Sequence, residues 1–487
     1  MMNNNILRTV SMMLACIITA SCYNEHTTSL SGSEGPAVIY PDYKDVTIPA
    51  NIAPLNYRYA MKDVRSATTT FSTGEKSVTI KGASVEWSLK KWKTFIEGAE
   101  GGTISVNAIV KAGGKTIEDS WEIHVSEDTA DAYLTYRLIE PAFQMWNEVV
   151  IEERCIEDFR TSLICDYKST DNSCMNCHIH GQQRGDLSMY YIRGAHGGAI
   201  LNRDGKLRKL TLKTPDMISG TVYGELHPSG RFGVFSTNVI IPGLHAMAQK
   251  RTEVYDTASD LTVADFDNNR MINLPHTARP DKFETFPCFS ADGDYVFYCV
   301  ADTLTVPQDV DKLLYHLVRV PFDVETGEMG TQVDTIWNAE THNASVCHPK
   351  ASPDGRWIMF TVADYGTFPI SHKESALQMV NLETGEVKAM EGINGQNSNT
   401  FHSWSSDSHW FVFASKRGDG QYSKPYFCHI DDNGNPTKPF VLPQKSTRFY
   451  DTHLKSFNVP DLGRTSTGMT TKDARTLVKA ESEEFSD

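Results

Sequence analysis

The residues with the clearest chemistry in this sequence are two cysteines three positions apart, Cys174 and Cys177, followed directly by His178. This is the spacing at which a c-type haem is attached. The two thiols add to the two vinyl groups of one porphyrin, and the imidazole that follows binds the iron as an axial ligand. The motif therefore predicts a covalent haem c held by Cys174 and Cys177, with His178 as the proximal iron ligand.

Two other interpretations of this motif stay open. The cysteine pair, together with His178 and His180, could be half of a zinc site that is completed elsewhere in the chain. The pair could also be structural or vestigial. A thioredoxin-type redox disulfide fits less well, because that motif normally follows a strand of a βαβ unit and the sequence indicates no such unit here.

The motif does not determine the sixth ligand of the iron. Met189 is the nearest downstream methionine and would favour a higher reduction potential, whereas His180 would favour a lower one, as would His196 or a more distant histidine. We take Met189 and His180 as the candidates. If no side chain filled this position, the iron could bind a small ligand.

The start of the chain has the pattern of a bacterial export signal. Arg8 precedes an apolar run that begins at Val10, and small residues lead to Cys22. Residues 1–22 are therefore predicted to be a lipoprotein signal peptide, with Cys22 lipidated and anchoring the protein to a membrane that it does not cross. The expected location is the cell envelope, on the periplasmic face of the outer membrane. A plain secretory signal is the alternative, and either would export the haem motif to the compartment where bacteria attach c-type haem.

Composition limits the remaining choices. The 487 residues include 46 basic and 61 acidic side chains, a net charge of −15, which argues against nucleic acid as a partner. With 40% hydrophobic residues, the chain is long enough for two or three domains. Outside the signal and the haem motif, Cys155 and Cys165 are the closest cysteine pair, and either a disulfide or two free thiols would suit an exported protein.

Hydrophobic periodicity divides the chain into regions. Residues 23–38 form a polar linker, and residues 39–127 alternate apolar with polar positions, which suggests a small immunoglobulin-like β-sandwich. Residues 128–186 have apolar positions three and four apart, which predicts a short helical segment that carries the haem motif. Residues 187–462 are assigned to a β-propeller, and the polar residues 463–487 to a disordered tail.

A sequence repeat carries the propeller assignment. The segments that begin at His227, Phe289, Ala351 and Trp404 each combine a strand end, a tight turn and a hydrophobic strand. Their period of roughly 50–60 residues is in the range of propeller blades with long loops. The fourth copy has Asp407-Ser408 where the others have a glycine turn. Five or six blades are expected in this mostly β chain.

The repeat resembles the TolB-type, WD40-like β-propeller repeat. From about residue 40 to 462 the sequence resembles Bacteroidetes-type exported TolB-like proteins with a c-type haem motif, often labelled cytochrome c biosynthesis proteins. The resemblance rests on the segments that begin at Tyr136, Cys174, Arg193, Gly197, Glu253, His402, Leu442 and Phe449. It implies the propeller architecture and the envelope location, and little about activity.

Three histidines of the predicted propeller, His227, His348 and His402, are expected to face its central funnel, where propellers commonly bind ligands. The sequence contains no hydrolase, zinc-protease or nucleotide-binding motif, so we expect an electron carrier or a binding protein rather than an enzyme. The favoured function is an exported, membrane-anchored c-type haem protein that transfers electrons and docks a redox partner on the propeller. The alternative is a non-redox propeller lipoprotein that binds or scaffolds an envelope protein or a glycan.

Overall fold

The structure is a computed structural model that describes residues 35–140, 148–247 and 250–487. The predicted signal peptide, Cys22 and most of the 23–38 linker lie outside these residues. Within the described ranges, no helix is long and apolar enough to span a membrane. The described chain is mostly β, which confirms that part of the prediction.

Two sheets and a helix form the N-terminal part of the molecule. One sheet has the order β1 (Ile39–Tyr40), β3 (Tyr57–Tyr59), β6 (Ser84–Val85), and the other has the order β2 (Val46–Pro49), β8 (Lys115–Ser126), β7 (Thr103–Ala112), β4 (Val64–Thr73), β5 (Lys76–Lys81). The helix α1 (Leu89–Ile96) begins after Ser88, whose hydroxyl accepts a hydrogen bond from the Lys91 amide, and it buries Trp92. Both sheets contribute to one apolar core. The immunoglobulin-like topology stays a prediction, and the sequence did not indicate α1.

Five further sheets contain the other strands of the described residues, and they form six blades, called blades 1 to 6. Blades 3 and 4 count as one sheet because β18 and β20 are joined by a parallel pairing at Ser259 and Phe283. Blade 1 has the order β11 (Thr161–Asp166), β10 (Val150–Cys155), β9 (Tyr133–Ile139), β32 (Ser456–Gly463), and blade 2 has the order β12 (Cys174–Gly181), β13 (Arg184–Arg193), β14 (Gly198–Arg203), β15 (Lys206–Thr211), β33 (Glu483–Glu484). Blade 3 contains β16 (Thr221–Leu226), β17 (Phe232–Met247), β18 (Lys250–Asp265) and β19 (Arg270–Ile272), and blade 4 contains β20 (Lys282–Phe289), β21 (Tyr295–Asp302), β22 (His316–Pro321) and β23 (Asp334–Trp337). Blade 5 contains β24 (Ser345–Ala351), β25 (Trp357–Ala363), β26 (Ala376–Asn381) and β27 (Val387–Ala389), and blade 6 contains β28 (Asn399–Trp404), β29 (Trp410–Ser415), β30 (Lys424–His429) and β31 (Phe440–Val441). The remaining helices are α2 (Ala339–His342), α3 (Phe449–Thr452) and α4 (Thr471–Val478).

The inner strands of the six blades contact one another in a ring. β12 contacts β16, and contacts then run through β20, β24 and β28 to β32, which contacts β12 again. Apolar cores fill the spaces between neighbouring blades. Sheets arranged radially around a centre are the architecture of a β-propeller, and the blade number here is the higher of the two expected.

The prediction of a helical segment over residues 128–186 is wrong, because this segment forms β9 to β12. β9 is buried on both faces from Leu134 to Ile139, including its polar residues Thr135 and Arg137, so burial along this strand does not follow a period of two. A run of this kind cannot be distinguished from a buried helix by spacing alone. The propeller therefore begins at Tyr133 rather than at residue 187.

The prediction of a disordered tail over residues 463–487 is also wrong. α4 begins with a capping box between Thr470 and Asp473 and buries Val478. Lys209 Nζ in blade 2 donates a hydrogen bond to the Val478 carbonyl oxygen at 2.8 Å, and β33 then pairs in parallel with β15. A polar segment can dock in this way because the blade already supplies the apolar surface.

Removal of residues 464–487 should therefore destabilise the protein. The deletion uncovers the apolar surface beneath Val478 and Phe485 and leaves the buried Lys209 side chain without its carbonyl partners. We expect the melting temperature to fall by at least about 3 °C, measured by thermal denaturation of the full chain and the truncated chain. Glu481→Gln, a change at an exposed tail residue, is the control and should leave the melting temperature unchanged. An unchanged melting temperature in the truncated chain would show that the tail contributes no stability.

Candidate functional site

All six inner strands contain a β-bulge. The ladder register breaks between Met175 and Cys177 in β12, Thr221 and Gly224 in β16, Thr285 and Cys288 in β20, Cys347 and Lys350 in β24, Thr400 and His402 in β28, and Asn458 and Asp461 in β32. A bulge leaves residues without a ladder partner and re-aims their side chains. Residues at all six breaks line one cavity of about 160 Å³ at the centre of the ring of inner strands.

Four of the bulged residues have a strained backbone. Phe286, His348, Phe401 and Val459 have φ angles of 50°, 53°, 48° and 48°, in the left-handed region that side chains other than glycine rarely adopt. Such residues cost of order 1–3 kcal/mol each and are retained where the surrounding structure enforces them. The His348 ring stacks on Phe401 with centroids 4.3 Å apart and meets the edge of Phe286 at 4.5 Å. The strain thus produces an aromatic wall on one side of the cavity.

The haem motif is the bulge of blade 2. Cys174 lies opposite Arg193, and Cys177 lies opposite Tyr191, because Asn176 is the extra residue in the ladder. Positions two apart on a strand share a face, so both thiols lie on the same face of β12. His178 lies opposite Tyr190 and is therefore on the other face. Cys177 and His178 nevertheless both line the central cavity, because β12 is an inner strand.

His178 is a buried imidazole without a well-formed hydrogen bond. It is 1% exposed, and neither ring nitrogen has a hydrogen-bond partner of good geometry among the described residues. Burial lowers the pKa of His178 to about 3, against a smaller opposite effect of the Asp461 carboxylate. The ring is therefore neutral at physiological pH and can offer a lone pair to a ligand.

Two arginines lie near the thiols. Arg137 donates a hydrogen bond from its guanidinium to Cys177 Sγ at 3.8 Å and another to Asn458 Oδ1 at 2.9 Å. Burial raises the pKa of the Cys174 thiol, while Arg193 and Arg137 act in the opposite direction. Both arginines also line the cavity, so the thiol face of β12 is next to positive charge.

The opposite side of the cavity has its own charged groups, which are buried or partly buried. Lys350 Nζ forms an ion pair with Glu225 Oε2 at 2.9 Å. Burial would lower the pKa of Lys350, but Glu225 and Asp461 raise it well above its usual value. Asp461 accepts hydrogen bonds from the Ser403 hydroxyl at 2.8 Å and the His180 amide at 3.0 Å. These groups hold Lys350 charged beside the aromatic wall.

The other predicted site residues lie in different surroundings. His348 and His402 line the cavity, and burial lowers the pKa of each to about 3. His180 is 5% exposed, and its Nδ1 lies 3.4 Å from the Leu462 carbonyl oxygen. Met189 is completely buried in the apolar core between blades 2 and 3 and does not line the cavity.

The placement of His227 in the funnel is wrong. Its ring is bonded to Ser229 Oγ at 2.8 Å and lies 3.3 Å from the Gly293 carbonyl oxygen, in the turn that joins two strands. That turn packs between neighbouring blades, away from the cavity.

Cys155 and Cys165 are both free, so the structure contains no disulfide between them. His196 lies near the surface, 3.2 Å from Asp171.

Most of the residues that line the cavity were not predicted from the sequence, among them Arg137, Tyr223, Phe286 and Phe401. One signal could have found part of it, because a proline directly follows the bulged residue in blades 4, 5 and 1. Proline inside a strand indicates a bulge or an edge. The three tetrapeptides that begin at Thr285, Cys347 and Asn458 therefore mark equivalent positions in three repeats.

Comparisons with known proteins add little beyond the fold. No protein-family model matches the chain, and no curated protein matches it. Similar solved structures include TolB from Acinetobacter baumannii, with a TM-score of 0.45 and 11% identity over 74% of this chain and 79% of that chain. A puromycin-hydrolyzing peptidase from Mycobacterium tuberculosis has a TM-score of 0.38 and 10% identity over 82% of this chain and 57% of that one. A quinonprotein alcohol dehydrogenase-like protein from Bacteroides thetaiotaomicron has a TM-score of 0.35 and 6% identity over 89% and 100%. Similarities this weak carry no argument about function.

A long hairpin of blade 3 forms part of the cavity wall. β17 and β18 each span 16 residues, and Ile240 and Val254 from them line the cavity. Next to Val254, the buried Glu253 pairs through Oε2 with His372 Nε2 at 3.0 Å, and His372 Nδ1 pairs with Glu374 at 2.9 Å. His372 therefore fastens the hairpin to the loop that follows β25 in blade 5.

This contact should make stability depend on pH. Burial would lower the pKa of His372, but Glu253 and Glu374 raise it to about 9, against about 6.5 in an unfolded chain. The stabilisation is complete below about pH 6.5 and is lost as the pH rises through 9, and this difference in pKa corresponds to roughly 3 kcal/mol. Denaturant unfolding between pH 6 and 10 should show a steeper loss of stability in the wild type than in His372→Gln. Parallel curves for the two proteins would contradict the role of this contact.

Proposed function

We propose that the protein is an exported, lipid-anchored c-type haem protein that passes single electrons. In this proposal Cys174 and Cys177 hold haem c at the central cavity, and the propeller docks a redox protein. The observation that carries the proposal is the bulge at Asn176. Without it, residues three apart on a strand would face opposite sides, and one porphyrin could not reach both thiols.

The neighbouring side chains support this assignment through their chemistry. Arg137 and Arg193 lie beside the thiols, and guanidinium groups are suited to pair with the propionate carboxylates of a haem. His178 has the neutral imidazole that an iron ligand requires, with both nitrogens lacking a well-formed hydrogen bond. A haem bound here would supply one-electron transfer at its iron.

Of the two candidates for the sixth iron ligand, the structure favours His180. Its Nε2 has no hydrogen-bond partner among the described residues, and its ring centroid lies 6.2 Å from that of His178. Met189 is surrounded by core side chains and would have to leave the space between two blades. The export signal, the lipid on Cys22 and the periplasmic location remain parts of the proposal that rest on the sequence.

One observation favours the second candidate function, a non-redox binding or scaffold protein. His178 and the two cysteines lie on opposite faces of β12, although in c-type attachment all three must address one haem. Every other inner strand also contains a bulge, so the one in β12 has a structural role without any haem. In this case the aromatic wall and the charged Lys350 would bind a small or peptidic ligand from an envelope partner.

Covalent haem distinguishes the two candidates. The chain is expressed with its own leader in a bacterium that matures c-type cytochromes, and a denaturing gel is stained for haem peroxidase activity. We expect a stained band for the wild type and none for Cys174→Ser, Cys177→Ser, because only thioethers survive denaturation. Cys155→Ser, which changes a buried free cysteine outside the motif, is the control and should keep the stain. An exported, folded wild type without stain would rule out the haem proposal and leave the binding function.

A further inference from the structure

A second group of potential ligands lies where the N-terminal sheets meet blade 6. Asp128, just after β8, has its Oδ2 2.9 Å from His429 Nε2 and its Oδ1 3.5 Å from His409 Nδ1. His409 Nε2 lies 3.2 Å from Asp432 Oδ1. One ligand atom from each of Asp128, Asp407 and His409 lies within 4.8 Å of the others. The side chains thus converge on one point from two parts of the molecule.

The propeller repeat provides an internal reference for Asp407. In blades 4 and 5 the equivalent turn aspartates, Asp292 and Asp354, each accept a hydrogen bond from the serine two residues earlier, at 2.5 Å. In blade 6 the equivalent Ser405 instead accepts a hydrogen bond from the Asp131 amide at 3.0 Å. Asp407 Oδ1 accepts from the backbone of the following turn. Its Oδ2 is buried and has no hydrogen-bond partner among the described residues.

Unpaired buried carboxylate oxygens are costly, and each one needs an explanation. In blades 4 and 5 the hydrogen bonds of the turn also go to Oδ1, but Asp292 and Asp354 are exposed to solvent. Among these three turns, a buried carboxylate oxygen without a partner therefore occurs in blade 6 alone. It is also the copy in which a histidine, His409, stands where blades 3 and 5 have Arg231 and Arg356 and blade 4 has Asp294. In blade 6, therefore, Asp407 lacks the hydrogen bond from the serine two residues earlier, and the same turn has the imidazole of His409.

The cluster is held in place from both sides. The Trp410 indole donates a hydrogen bond to the Asp128 carbonyl oxygen at 3.2 Å. The Ser406 amide and hydroxyl donate to the Asp131 carboxylate at 2.9 and 2.7 Å. The segment with Asp128 is thus fixed to the turn that carries Asp407 and His409, which limits the rearrangement that binding an ion would require.

We propose that Asp128, Asp407, His409 and His429 form a site for a divalent transition-metal ion of the zinc type, which fastens the N-terminal sheets to blade 6. Two imidazoles and two carboxylates suit four-coordinate Zn²⁺. Metal–ligand distances of about 2.0–2.2 Å correspond to ligand atoms roughly 3.4 Å apart. Asp128 lies 2.9 Å from His429 and 3.5 Å from His409, and the ligand atoms of Asp128, Asp407 and His409 lie within 4.8 Å of one another. Side-chain rotations are needed to bring all four ligands to that distance.

The second nitrogen of His409 supports this arrangement. If Nδ1 binds the metal, Nε2 carries the proton and donates it to Asp432, at the observed 3.2 Å. Metal-binding histidines usually donate their other N–H to a carboxylate or carbonyl, which fixes the tautomer and orients the ring. Asp432 is therefore a positioning residue rather than a ligand.

The test uses the full chain with Cys174→Ser and Cys177→Ser, because these cysteines are the other candidate zinc ligands. The protein is stripped with a chelator, dialysed against micromolar Zn²⁺ and analysed for bound metal. We expect one equivalent of zinc, a higher melting temperature with zinc, and the visible absorption of tetrahedral Co²⁺ when cobalt replaces it. Because the cysteines are absent, the result does not depend on the proposed haem function.

Two variants in the same background identify the ligands. Asp407→Asn keeps the shape of the turn and removes the ligand charge, so it should fold and bind zinc roughly tenfold more weakly or worse. His409→Gln should lose the cobalt absorption. His196→Gln, at a histidine outside the cluster, is the control and should bind as its parent does. A parent protein that binds no zinc, or an Asp407→Asn variant that binds it equally well, would overturn the proposal.

Discussion

The structure depends on the pairing of β9 with β32, which joins residues 133–139 to residues 456–463. This pairing completes blade 1 and lets the inner strands contact one another around the whole ring. An open ring would leave unpaired strand edges and two blade faces without a neighbour. Arg137 in β9 links the strands on either side of this pairing, since its guanidinium donates hydrogen bonds to Asn458 in β32 and to Cys177 in β12. The central cavity is therefore complete only after distant parts of the chain have met.

A closed ring can hold groups that a less constrained structure would not. Phe286, His348 and Phe401 have strained backbones, and each lies in a bulge fixed by a blade on either side. His178 and His402 are buried as neutral imidazoles, and Lys350 is held as a partly buried cation beside Glu225. The apolar packing between blades offsets the free-energy cost of the strained backbones and of burying these ionisable side chains. This combination of strain and buried ionisable groups around one cavity is typical of binding sites.

Both candidate sites occur where one copy of the repeat differs from the others. Every inner strand contains a bulge, but only that of blade 2 contains two thiols and an imidazole. Three blades have an aspartate in the same turn, but only that of blade 6 has a buried carboxylate oxygen without a hydrogen-bond partner among the described residues, and only that turn adds His409. The repeat supplies the backbone geometry, and the exceptional residues supply the chemistry. The two sites are independent, since one lies in the cavity and the other at the edge of blade 6.

The sequence alone determined the features that depend on local pattern. The turn repeats at His227, Phe289 and Ala351 predicted a propeller, and the spacing of Cys174 and Cys177 singled out the strand on which the proposed function depends. Local pattern failed where burial is supplied by distant residues. β9 is covered on both faces, so its spacing resembled a helix, and α4 docks on blade 2, so its polar composition resembled disorder. Only the tertiary structure decided which histidines reach the cavity: His402 lies at the bulge of the inner strand β28, whereas His227 lies in the turn after β16 and is bonded to Ser229. It also decided that both thiols share a face, since a bulge is defined by the register between two strands and not by the sequence of one.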